Sequence, residues 1–222
     1  MSGSEPMLLG LVFSVVALVA ALTFTHSRAG MAVSVLGVLV LLALAQWRHW
    51  RHLSYQIFLV MAVVLVAVGE LEGRMPGLFA DVDQRMRVWR LSWELLAQRP
   101  WLGHGLGAFA DAFQAIRPVQ ITQVWLQAHN SWLELMIELG IPAAFSLFLA
   151  VGWAVVRCLV GVVGRRNDRH FPALGAAAGV LVGTHALVDF SVQIPAVAYF
   201  LAALMGIGVA QSWSGRLGRV VE

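Results

Sequence analysis

PAAFSLFLAVGWAVVRCLVGVV, residues 142–163, decides the class of this chain. The run carries a single charge, Arg157, and as a helix it is long enough to cross the ~30 Å hydrocarbon core of a bilayer. Five further apolar runs flank it, at about 7–24, 29–46, 55–69, 172–188 and 194–211. Over its 222 residues the chain is 59% hydrophobic and only 12% charged, with a mean hydropathy of +0.78. A soluble domain needs far more charge than this to cover its surface. The expected fold is an all-α polytopic membrane protein of about six transmembrane helices. Three lie in 1–69 and three in 142–222, separated by a long loop over 70–141 that contains amphipathic helices.

Arginine placement orients these spans. Every one of the 15 basic side chains is an arginine. Base composition of the genome accounts for that by itself, although guanidinium also forks onto phosphate better than ammonium does. The segments WRHWRH (47–52), GRRNDRH (164–170) and SGRLGR (214–219) fall on one side if the spans alternate, and the arginine excess makes that side cytoplasmic. Both termini are then cytoplasmic, in a multi-pass inner-membrane protein. The N-terminal MSGSEPMLLG has Glu5 and no basic residue, so the first run reads as a retained span rather than a cleaved signal peptide. The opposite, periplasmic side receives THSRAG (25–30), the long loop, and HALVDFSVQIP (185–195). The long loop holds Arg74, Arg85, Arg87, Arg90, Arg99 and Arg117. Its length exempts it from the charge rule, so those arginines call for another reason, such as an anionic ligand.

Inside the long loop, residues 81–99 place Val82, Met86, Trp89, Trp93 and Leu96 on one helical stripe, which suits a helix lying at the lipid headgroups. Pro100 ends it, the glycines of PWLGHGLGAF (100–109) make an irregular loop, and a short helix follows over 108–115. AHNSWLELMIELG (128–140) then starts a helix near Ser131, where Ser131 and Glu134 have capping-box spacing, and Gly140 ends it. His129 and Asn130 therefore sit at a helix N-terminus on the outer surface. The helix dipole there disfavours imidazolium, and a neutral histidine can accept a proton. As a plainer reading, Asn130 is a helix cap and His129 a structural hydrogen-bonder.

The other candidate residues carry similar alternatives. Arg28 either snorkels to the interface or meets a phosphate. Arg85 and Arg87 either face solvent or bind the same ligand. Glu134 and Glu138, four apart, are expected to pair with loop arginines. His185 and Asp189, also four apart at the outer end of a span, are an ionisable pair of the kind that marks function in a membrane. Topology puts Arg28, Arg85, His129, His185 and Asp189 on one side although they are far apart in sequence. The single cysteine, Cys158, excludes an internal disulfide. His104 has no clustered ligands around it, no metal motif occurs, and scattered basic residues without a motif argue against nucleic acid.

The pieces THSRAG (25–30), Arg85 to Trp89 as R-x-x-x-W, RPWLGHGLGAF (99–109), HNSWLELMIELG (129–140) and HALVDFSVQIPA (185–196) together resemble the O-antigen ligase and polymerase family of bacterial membrane glycosyltransferases. The resemblance covers most of 25–200 in order and spacing. It implies a metal-independent and cofactor-free transferase at the periplasmic face. Such an enzyme moves a glycan from a polyprenyl diphosphate to an acceptor hydroxyl, with lipid A-core as the expected acceptor. It implies that Arg28 and Arg85 bind the diphosphate and that His129 activates or orients the acceptor. Arg87 and Arg90 have no clear family counterpart, and Arg87 and Asn130 are expected from position as further substrate contacts. Glu138, His185 and Asp189 are auxiliary. Family members have more spans than six, so the resemblance places this chain at their C-terminal half, with a separate N-terminal half and membrane lipids as partners.

Alternatives with the same chemistry are an O-antigen or exopolysaccharide polymerase and a protein O-glycosyltransferase. From other classes come a bicarbonate-type transporter and an inactive remnant. A transporter needs polar groups near the bilayer midplane; here the ionisable groups cluster at the outer ends of apolar spans.

Overall fold

A computed structural model describes residues 4–25, 27–45, 75–165 and 167–213. The expected third span at 55–69, the 47–52 loop, Arg74 and the 214–219 tail lie outside them. Among the described residues the chain is all-helical and has no strand. Its helices are α1 (Ser4–Phe24), α2 (Arg28–Ala45), α3 (Met75–Gln98), α4 (Phe109–Ile116), α5 (Ser131–Leu139), α6 (Ile141–Gly164), α7 (His170–His185) and α8 (Pro195–Ala210), with a 3₁₀ turn at Ser191–Gln193.

Two of these are long and apolar enough to cross a membrane: α2, 18 residues, and α6, 24 residues, each with mean hydropathy 2.2. The apolar stretches Phe13–Phe24 and Pro195–Ala210 are shorter. Local chemistry sets the starts. The Ser27 hydroxyl accepts the Gly30 amide at 3.0 Å and caps α2; Pro142 and Pro195 open α6 and α8, where a missing N–H costs nothing.

Helix α7 is the centre of the bundle and packs against α2, α6 and α8. Small residues let the backbones approach, as membrane helices require. A Cβ on Gly37 would stand 2.2 Å from Leu181 Cδ1, and Gly175, Gly208 and the buried Cys158 meet where α6, α7 and α8 converge. The outward faces are apolar: Phe13 is 75% exposed on α1, Trp153 57% on α6, and Tyr199 76% on α8. Water would penalise such contiguous surface, whereas lipid does not. Arg157, the one charge in α6, donates to Ser212 O at 2.8 Å, and its guanidinium lies over the Trp213 ring. The charge is thereby drawn to the helix ends.

A second core lies at one end of the bundle. Val88, Leu95, Leu96, Phe109, Phe113, Leu133 and Ile137 pack α3, α4 and α5 together. The expected stripe on α3 divides here. Val82, Met86 and Trp93 stay exposed, but Leu96 is buried and Trp89 turns inward to donate to Ala128 O at 2.8 Å. The glycine loop docks on the end of α5: His104 N donates to Ile137 O and Gly105 N to Glu138 O, both at 2.9 Å. His104 Nε2 lies 3.0 Å from Leu95 O, which gives this histidine a structural role.

Candidate functional site

The site forms where α5 begins. Helix α7 stops at His185, short of the expected end at 188. The chain then turns so that the carbonyls of Ala186 and Asp189 receive the Ser131 amide at 2.8 and 3.2 Å. This joint brings His129 onto Asp189. The imidazole Nδ1 lies 3.2 Å from Asp189 Oδ1, and the ring is held edge-on between Trp125 and Phe190. His129 itself has φ +51°, a left-handed conformation that non-glycine residues adopt at a cost.

The residues behind it maintain that conformation. Glu134, 1% exposed, accepts the Ala128 amide at 2.7 Å, directly before His129. Glu138, also buried, accepts the Phe109 amide at 3.3 Å. The expected pairing of these carboxylates with loop arginines is not what occurs. Folding of the loops over α5 buries both, and backbone N–H groups meet them instead. Burial pushes Glu134 up to about 7, with Glu138 adding to the rise and the Ala128 amide and Gln193 opposing it. The cap follows the plainer sequence reading, and the Ser131–Glu134 capping box does not form. Asn130 is the N-cap, its side chain accepting the Leu133 amide at 3.1 Å. Ser131 stands inside the helix with its hydroxyl 2.9 Å from Asp189 O and 2.7 Å from Gln193 Oε1.

Asp189 is the hub. Its own carboxylate also receives the Phe190 amide at 2.9 Å, and His185 Nε2 stands 3.6 Å from its second oxygen. Burial alone would raise its carboxyl, but the His129 hydrogen bond, the Phe190 amide and the two imidazoles outweigh that and lower it. His185 Nδ1 pairs with Ser191 Oγ at 2.6 Å, and the ring lies beside Gly30 at the start of α2.

The guanidiniums arrive from α2 and α3. Arg85 donates to Val188 O, next to Asp189. Arg28 reaches across to Asp81 at 2.8 Å, one helical turn before Arg85. Contacts therefore join His129, His185 and Asp189, with Arg85 on the adjoining Val188 carbonyl; Arg28 is connected to this group through Asp81, which shares α3 with Arg85. Arg87 does not join it. Two residues from Arg85, it projects from the other side of α3, paired with exposed Asp83. No group of three or more His, Cys, Asp or Glu fit to hold a metal occurs among the described residues. Sequence reasoning missed Trp125, Phe190 and Gln193 and read Ser131 only as a capping residue; the segment 185–196 hinted at Phe190 and Gln193.

The sequence matches the O-antigen ligase family over residues 13–148. The chain belongs to the O-antigen ligase family. Members are membrane-embedded and are associated with glycosyl transfer in O-antigen and lipopolysaccharide synthesis, in keeping with the apolar helices of this ligase-family chain. No curated protein and no solved structure compared with it matches. The family match contains Arg28, Arg85, Arg87, His129, Asn130 and Glu138, while His185 and Asp189 lie beyond it. The fold carries those two back to the matched part.

Proposed function

We propose that this chain is an inner-membrane glycosyltransferase of the ligase type, with six spans and cytoplasmic termini, acting at the periplasmic face. Its donor is a polyprenyl-diphosphate-linked glycan and its acceptor a hydroxyl of lipid A-core. One observation carries the reading: the His129–Asp189 pair stands beside Arg85 at the end of an apolar bundle. With Nδ1 turned to the carboxylate, Nε2 holds the lone pair and is the base. The acceptor oxygen attacks the anomeric carbon and its proton passes to His129. The bond from that carbon to the diphosphate oxygen breaks, and its electron pair leaves with the diphosphate. Arg85 and Arg28 stabilise the charge that develops there. Beneath the site, Trp132, Phe148, Val155, Leu201 and Met205 line an apolar cavity of about 510 Å³ that reaches Ser131 and suits an isoprenoid chain.

The test is glycan transfer in membranes containing the chain, supplied with donor and lipid A-core. His129→Ala and Arg85→Ala are run beside the unaltered chain at matched expression. Both substitutions should lower transfer at least about 10²-fold. Equal transfer in all three would sink the assignment.

A further inference from the structure

Arg87 lies outside the proposed diphosphate cluster, paired with Asp83, and it lines a separate polar cup. Gln84, Arg87 and Val88 of α3 form one wall; Gln120, Thr122 and Gln123 form the other, with Trp125 at the edge. The cup measures about 110 Å³, room for a single sugar ring. Its loop is held in shape, since Arg117 donates to Gln123 O at 2.6 Å and Ile121 N to Pro118 O at 3.0 Å. Gln120, Thr122 and Gln123 are exposed, and primary amides offer both donors and acceptors to neighbouring hydroxyls.

The position of the cup gives it meaning. The His129 ring lies between Trp125 at 5.5 Å and Phe190 at 5.1 Å, centroid to centroid. Phe190 belongs to the turn where Arg85 docks, and Trp125 belongs to the cup. A transferase needs its base between two substrates. We infer that the cup bounded by Arg87, Gln120, Gln123 and Trp125 is the acceptor subsite, binding a hydroxyl-rich glycan across His129 from the diphosphate.

This inference rests on the proposed transfer reaction, so its test separates the two. The probe is lipid-free core oligosaccharide, titrated against the full chain in detergent. The binding variant is Gln120→Ala/Gln123→Ala, both at exposed positions, and His129→Ala is assayed for transfer alone. Affinity should fall about tenfold in the double variant, the loss of two neutral hydrogen bonds. Where turnover is measured, the double variant should raise the acceptor KM by a similar factor and leave kcat and the donor KM unchanged. Undiminished oligosaccharide binding in the double variant, or a raised donor KM, overturns the subsite. Transfer that survives His129→Ala overturns the reaction reading while the binding result stands.

Discussion

Asp189 shows how one side chain turns position into chemistry. Its lowered carboxyl stays ionised at any working pH, so His129 always has an acceptor for Nδ1–H. Asp189→Asn keeps the shape but presents an amide that can hold the wrong tautomer, and kcat should fall about 10²-fold with little change in donor KM. Steady-state kinetics at varied donor checks this. Glu134 behaves in the opposite sense. Its folded pKa, raised from 4.5 to about 7, means the native state keeps a proton that the unfolded chain releases. That contribution is fully present below pH 4.5, is lost as pH rises to about 7, and stays lost above it, a total of about 3 kcal/mol. Glu134→Gln still accepts the Ala128 amide and has no charge to bury. Its melting temperature should exceed the unaltered chain's at pH 8 and approach it at pH 5. A constant offset across that range would contradict the linkage.

At the scale of elements, the joint between the glycine loop and α5 decides whether the site holds together. Gly140 has φ +78°, and a Cβ there would stand 2.3 Å from Trp101 O; Gly107 has φ +76° and nothing within 4 Å. Gly107→Ala therefore pays only the left-handed backbone term, about 1 kcal/mol. Gly140→Ala adds a collision with backbone, and should cost about 2 kcal/mol more. The difference in melting temperature between the two variants measures the docking. Such contacts explain what was legible beforehand. The apolar runs gave α1, α2, α6 and α8 closely, because strongly apolar helices are legible in composition alone. The start of α5 was also readable, since His-Asn-Ser precedes an apolar run. Which residue caps it was not. Asn130 and Ser131 are both good caps, and only a contact 58 residues away claims the Ser131 hydroxyl. Glu134 and Glu138 read as partners for loop arginines because their burial depends on loops folding over them. The pairing of His129 with Asp189 was visible only as a shared side of the membrane, never as a bond.

For the whole molecule, the arrangement works only with the cluster on the outer side, where glycan on a lipid carrier would meet its acceptor. The chain offers a direct way to test that orientation. Its one cysteine, Cys158, is 0% exposed where three helices meet, so a membrane-impermeant thiol reagent should leave the unaltered chain unlabelled. Thr122 in the cup and Asn167 beyond α6 are both exposed, and they lie on opposite sides if α6 spans the bilayer once. Thr122→Cys should label in intact cells whose outer barrier is opened. Asn167→Cys should label only after the inner membrane is permeabilised. The reverse pattern would put His129 in the cytoplasm and remove the basis for periplasmic transfer. Labelling of both in intact cells would mean that α6 does not span. The positive-inside reading, the long-loop exemption and the proposed substrate side all stand on this one outcome, because each assigns residues 75–141 to the same face.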